Sequence, residues 1–398
     1  VGGRGELMTT LAPSRVPGRS GLAERARGGL ARMDWILVAA CAAITTFSVF
    51  VIGQATERDI SGEPRYYLDR QLLFVGVGVI ALLVAMRVDL ERVARWAWAI
   101  LGGLLGALAV VYVLGTAVRG SNRWIDIGPF SLQPSEFGKA AIILVLAALA
   151  VDRAGDVGTA RFTLFLTGVA AVPMVVVFLQ PDLGTSLVYA AILAAILFLA
   201  GAPWTHFAVF GTVLAALVIA VLWILPSMGL PILQPYQMER LTAFAGAERD
   251  TSDAGYQLDQ SKTAIGSGGT LGKGPDGATQ ANNDFLPEYH TDFIFAVTGE
   301  MFGFLGAGLL LLLYGLVLWR GLRTTARAST HMDMLVAGGV VAMIGFQVFV
   351  NIGMTVGIMP ITGIPLPMMS YGGSHTITTL IAIGLLLGVH RRRSPIPG

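Results

Sequence analysis

Charge is scarce in this chain. Only 13% of its 398 residues are Asp, Glu, Lys or Arg, about half the usual share in soluble domains. With 54% hydrophobic residues, such a chain is not a water-soluble globule. The formal net charge of +2 is too small to point to nucleic acid as a partner. A single cysteine, Cys41, sits in an apolar run, which excludes a disulfide framework and a CxxC metal site. His206, His290, His331, His375 and His390 are scattered, so zinc-ligand spacing is absent. The glycine run Gly266–Gly274 is not a Walker A motif. Ser267 stands where the first glycine must be, and Gly274 where Ser or Thr must follow Lys273. It reads instead as a turn-rich segment whose backbone can approach a ligand closely.

What the chain does have is length in its apolar runs. Runs near the roughly 20 residues needed to cross a bilayer recur throughout. They predict an all-α polytopic membrane protein of about ten transmembrane helices, at 34–53, 71–86, 96–118, 136–151, 162–179, 184–200, 206–225, 292–319, 332–354 and 374–389. Residues 1–32 are rich in Gly and Arg and read as a disordered cytoplasmic tail. The transmembrane domain covers 33–393, followed by a short tail at 394–398. Arginines gather in alternate connections: Arg87, Arg92 and Arg95; Arg153 and Arg161; Arg320, Arg323 and Arg327; and Arg391 to Arg393. The positive-inside rule places these, and both termini, in the cytoplasm. The long loop 226–291, between helices seven and eight, is then extracytoplasmic. It carries eight acidic residues against four basic ones, and its apolar segments predict that it folds back onto the membrane.

Polar clusters fall on that outer side. They are Tyr67 to Gln71, Asn122 to Ile125, Gln133 to Lys139, Gln180 to Gly184, the segment FLPEYHTDFIFAVTGE (Phe285 to Glu300), and Pro360 to Pro367 running on to Ser374. Non-helical backbone near membrane depth is tolerated where protein or a watery cavity satisfies it, so these segments predict a cavity open to the outside. Asp292 is the sharpest feature. It stands at the mouth of an apolar helix with Glu288 and His290 beside it, and a carboxylate there is costly unless it is used. Each cluster also has a plainer reading. Arg70 and Arg123 are either interfacial anchors or forks for an anionic headgroup. Glu136 and Lys139, three apart on one helix face, are an internal ion pair or a substrate contact. Asp182 is placed to cap a helix, Lys262 is a solvated loop lysine or a ligand contact, and Asp292 itself could be an N-cap.

These motifs resemble the SEDS family, membrane-embedded glycosyltransferases that polymerise peptidoglycan. The resemblance runs from Met33 to Arg393 and rests on NRWIDIGPFSLQPSEFGK, QPDLGTS, PYQMERL, GYQLDQSKTAIGSGGTLGKG, FLPEYHTDFIFAVTGE and GIMPITGIPLPMMSYGGS, in family order. The glycine stretch is more similar to the elongation branch, RodA, than to the division branch, FtsW. Met301 stands where the family usually has a second Glu, and His375 where it commonly has Ser. The resemblance implies that lipid II is joined into β-1,4 glycan with loss of undecaprenyl pyrophosphate, for cell elongation and rod shape. It implies that Asp292 is the catalytic base. Candidate substrate contacts are Arg70, Arg123, Glu136, Lys139, Lys262, Glu288, His290 and Ser374, with Gln133 and Asp182 lining the pocket. It also implies a bacterial cytoplasmic membrane, with the site facing outward, and as partners a class B penicillin-binding protein and other membrane proteins of the elongation complex. A divalent cation, Mg or Mn, with ligands unassigned, would suit the acidic loop and the leaving pyrophosphate. The competing readings are a lipid II flippase, a division-type polymerase, and a scaffold that only positions a partner synthase.

Overall fold

A computed structural model of the chain describes residues 33–57, 59–60, 63–114, 116–118, 121–127, 130–220, 224–228, 253–282 and 285–392. Both expected tails, Arg393, Asp284, the PYQMERL motif and the loop charges between 239 and 250 lie outside the described residues.

The apolar runs become helices: α1 (Trp35–Ala55), α2 (Tyr66–Ala85), α3 (Ala97–Leu114), α4 (Pro134–Asp152), α5 (Ala160–Leu179), α6 (Leu183–Ala200), α7 (Trp204–Ile219), α8 (Asp253–Ser267), α9 (Ile294–Ala326), α10 (His331–Val356) and α11 (Gly373–Arg392). Eight of them (α1, α2, α4, α5, α6, α9, α10 and α11) are long and apolar enough to cross a membrane, so the protein is a multi-pass membrane protein. The apolar helices α3 and α7 stand where the third and seventh spans are expected. The helix starts carry recognisable caps. Asp34, Thr159, Asp182 and Thr330 each accept a backbone N–H of the first turn, and Pro134 opens α4, where its missing N–H costs nothing.

Packing relies on small residues, as it must where lipid supplies no hydrophobic drive between helices. Gly384 and Gly388, one turn apart on α11, lie against the backbone of α2; a Cβ at Gly384 would stand 2.4 Å from the Leu82 carbonyl oxygen. At one end of the bundle Asp34 binds Arg320 at 2.8 Å and approaches His390 at 3.6 Å, and Arg392 binds Asp333 at 2.9 Å. The start of α1 and the end of α11 therefore lie together.

Three features depart from the spans read in the sequence. First, α2 begins at Tyr66, so Tyr67 and Arg70 ride on its first turns. Second, α3 ends at Leu114 and the chain enters an antiparallel meander, β1 (Thr116–Val118), β2 (Ser121–Ile127) and β3 (Phe130–Leu132). Third, α9 is broken at Gly303, whose φ of 62° and ψ of −161° are non-helical.

That break explains the glycine run. It frees the carbonyls of Glu300 and Met301, which accept instead from Lys273 N (2.9 Å) and Gly274 N (3.0 Å). The freed amides of Phe304 and Leu305 donate to Gly269 O (2.8 Å) and Thr270 O (3.2 Å). Four exchanged bonds satisfy the backbone groups that the break leaves open. The backbone of residues 269–274 approaches α9, a contact not legible in the sequence. The Glu300 carboxylate, fully buried, fastens the same loop through Lys273 Nζ (3.2 Å), Thr279 Oγ1 (3.2 Å) and Gln280 N (3.1 Å). The rest of the described loop does fold back on the bundle. Ala254, Leu258, Ser261 and Ala264 form the buried face of α8, and Ser261 donates to Thr355 O of α10 at 2.8 Å.

Candidate active site

The Asp292 segment is a tight turn held by its own backbone and by two other parts of the chain. Glu288 adopts a left-handed φ of 55°, uncommon for a residue with a Cβ. Its carbonyl then accepts the amides of Thr291, Asp292 and Phe293 at 3.1 to 3.3 Å, and Thr291 Oγ1 donates to its carboxylate at 3.0 Å. Asn351 of α10 donates to the Asp292 carbonyl at 2.8 Å and to Ile364 O at 2.8 Å. Ser370 donates to Thr291 O at 2.6 Å, and Tyr371 N to His290 O at 2.9 Å. Such strain at Glu288 persists only where the surroundings over-determine it, and here they do. The N-cap position of α9 is Phe293, which has no side-chain cap bond. Asp292 precedes it, partly exposed, close to the positive end of the helix dipole.

Aromatic rings surround His290. The centroids of Tyr67, Tyr289 and Tyr371 lie 4.9, 5.2 and 5.6 Å from its ring. Tyr289 is anchored in turn by its hydroxyl to Asp59. Arg70 stacks over Tyr66 at 4.2 Å and hydrogen-bonds Tyr371. Burial pushes the Tyr371 phenol up to about 12, with Arg70 pulling the other way, so this ring stays neutral at working pH. Arg70 and His290 are thus joined through Tyr371, although 220 positions apart in sequence.

The neighbouring segments converge at the same end. Arg123 on β2 donates Nε to Gln180 O at 2.7 Å and a terminal nitrogen to Pro181 O, tying the meander to the α5–α6 corner. Asp182 caps α6 through Thr185 N (3.1 Å) and also accepts Gln133 Nε2 (3.1 Å). Ser374 Oγ accepts Gln133 N at 2.9 Å and donates to Ser131 O at 3.1 Å. Arg123, Asp182, Gln133 and Ser374 are therefore held by backbone and by one another. Lys262 is exposed on α8 and leans on the end of α10, with its Cε 2.3 Å from where a Cβ on Gly357 would be.

Glu136 and Lys139 form an ion pair of 2.6 Å, with both side chains buried. His375 Nδ1 lies 3.2 Å from the other oxygen of Glu136, and its Nε2 3.3 Å from Leu366 O. Local spacing gives the pair; the third member comes from 239 positions away, and its only sequence signal is a histidine in place of the family's serine. Leu366 N also donates to Ser370 Oγ at 2.7 Å, so the Asp292 turn and the buried charges grip one loop. Glu136→Ala is expected to destabilise the protein by about 3–5 kcal/mol, because it leaves Lys139 buried without its counter-charge. Thermal unfolding in detergent measures this, and Glu136→Leu combined with Lys139→Met should recover part of the loss.

Among the described residues no three His, Cys, Asp or Glu side chains converge to hold a metal ion.

The FtsW/RodA/SpoVE family profile, described as cell cycle protein, matches residues 31–395. The peptidoglycan glycosyltransferase MrdB of Escherichia coli K12 is 38% identical over 355 residues, covering 88% of this chain and 91% of that protein. A probable peptidoglycan glycosyltransferase FtsW of Thioalkalivibrio sulfidiphilus is likewise 38% identical over 375 residues, covering 90% of each. Among solved structures, a chain of a peptidoglycan synthase complex that coordinates polymerization and crosslinking superposes with a TM-score of 0.74. Its identity is 33%, and the match covers 90% of this chain and 98% of that one.

Proposed function

The chain belongs to the FtsW/RodA/SpoVE family, and from that membership together with the Asp292 turn we propose that it is a peptidoglycan glycosyltransferase that polymerises lipid II. The observation that carries the reading is the construction of the turn. Two segments distant in sequence, α10 and the loop before α11, together with the turn's own Glu288 carbonyl, fix the backbone of one partly exposed carboxylate-bearing residue.

In this mechanism Asp292 accepts the proton of the acceptor GlcNAc 4-hydroxyl. The oxygen so exposed forms its bond to the donor MurNAc C1, the bond from C1 to the phosphate oxygen breaks, and lipid pyrophosphate departs with that electron pair. Attack opposite the leaving group inverts C1 and gives the β-1,4 link. Base catalysis of this kind requires a carboxylate within hydrogen-bond reach of the hydroxyl. Arg70, held at the rim by Tyr66 and Tyr371, supplies a guanidinium for the charge that develops on the pyrophosphate. Lys139 and Arg123, engaged with Glu136 and with backbone carbonyls, support the pocket from behind. A divalent cation brought in with the pyrophosphate would need only one or two carboxylates, and Glu288 and Asp292 are the ones at the turn.

Charge distribution favours polymerisation over transport. In the eight helices long and apolar enough to cross a membrane, charged side chains sit within the first or last two turns, as do Asp69, Arg70, Glu136, Lys139, Glu300, Arg320 and Asp333, and the turns between hold none. A path carrying a pyrophosphate across the membrane would be lined with polar groups along its length. The positive-inside rule puts the Asp292 end on the outer face of the cytoplasmic membrane, where a class B penicillin-binding protein would cross-link the strands. Equal identity to the MrdB and FtsW relatives favours neither elongation nor division, and the RodA-like glycine run tips our reading to elongation. The test is to give lipid II in detergent to the purified protein with its transpeptidase, and in parallel to follow labelled lipid II in vesicles. Glycan ladders are expected; translocation without polymer would replace this reading with a transporter.

A further inference from the structure

At the end of the bundle away from Asp292, α3 and α5 leave an apolar groove between them. Leu101, Leu105, Leu164, Phe165 and Val172 line it, with Gly168 among them. A Cβ built on Gly168 meets nothing within 4 Å, so the groove is open above that glycine. From Leu164 to Val172 a helix rises roughly 12 Å, close to the roughly 15 Å of hydrocarbon in one leaflet. The groove therefore matches one acyl chain of one leaflet and is too short for a chain that crosses the bilayer. Trp98 flanks it with its ring edge-on to Phe165 at 6.3 Å, and Trp96 and Trp98 are both exposed. Exposed tryptophans mark the level of the lipid headgroups.

A cation stands at that level. The Arg153 guanidinium carbon lies 3.7 Å from the centroid of the Phe165 ring. Stacking through its face holds the fork in place and leaves the in-plane N–H groups directed along the ring's edge, where a phosphate can meet them. We infer that this groove binds a phospholipid with an anionic headgroup, its acyl chain lying along Gly168 and its phosphate on Arg153. The inference stands whichever reaction the Asp292 end performs.

Native mass spectrometry of the purified full-length protein tests it, with dioleoyl phosphatidylglycerol and dioleoyl phosphatidylcholine offered in equal amounts. Preferential retention of the anionic lipid is expected. Arg153→Ala should cut that preference about fivefold, the worth of one cation near an anionic headgroup, and Arg153→Lys should keep most of it. Gly168→Leu, whose Cβ meets nothing within 4 Å, should fill the groove and reduce retention of both lipids while the unfolding midpoint holds. Equal retention of the two lipids by the unaltered protein, or an unchanged preference in Arg153→Ala, overturns the site. Displacement of the lipid by glycerol phosphate would make it a phosphate site and overturn the lipid assignment.

Discussion

Gly272→Val is expected to destabilise the protein by more than about 3 kcal/mol and to release the loop between α8 and α9. The residue has a φ of +84°, and a Cβ there would stand 2.2 Å from the Met301 carbonyl oxygen and 2.5 Å from Phe302 N. No rotamer relieves a contact between Cβ and rigid backbone, and a β-branched side chain is least tolerant of left-handed φ. Moving the turn away breaks the bonds of Lys273 and Gly274 to the Glu300 and Met301 carbonyls. Backbone groups stranded in an apolar surrounding cost several kcal/mol together. Gly266→Ala is the matched control, since a Cβ there meets nothing within 4 Å and alanine favours the helix. Thermal unfolding and limited proteolysis within 253–282 check the pair. A Gly272→Val protein as stable and as protected as the control would show that the docked turn contributes little.

The same region shows what local sequence can and cannot reveal. Apolar runs gave the helices, because burial in lipid imposes its length rule on each run separately. The run from Phe293 through Leu313 is broken only by Thr298 to Glu300 and by single glycines, however, and it holds no proline to announce a break at Gly303. The break is stable only because residues 269–274 arrive with complementary donors and acceptors. In the sequence those glycines suggested closeness to a ligand; the structure shows closeness to another backbone. Of the candidate site, the converging segments were legible as polar clusters at span ends. Their partners were not. His375 joins Glu136 across 239 positions, and Gln133 joins Asp182 across 49. The ring of Tyr67, Tyr289 and Tyr371 around His290 comes from three separate elements. The meander at 116–132 was hidden because an apolar run overlapped its first strand.

Asp292→Asn is expected to lower the rate of lipid II polymerisation by about 10²–10⁴-fold, the usual worth of a positioned general base. Asparagine keeps the size and polarity of the side chain and leaves the backbone bond from Asn351 to residue 292 intact. The fold, the unfolding midpoint and binding of lipid II should therefore survive, and the loss should appear in kcat rather than KM. A role for Asp292 in positioning alone would leave most of the rate in place. Arg70→Ala is a useful comparison, because a group that meets the pyrophosphate in both ground and transition states should change KM as well.

The most direct measurement is glycan formation from lipid II by the unaltered protein and by Asp292→Asn, each with the transpeptidase partner and at equal amounts of folded protein. The expected result is a polymer ladder with stoichiometric release of undecaprenyl pyrophosphate from the first, and neither product above background from the second. Polymer made by Asp292→Asn at a rate near that of the unaltered protein would contradict the assignment of Asp292 as the base.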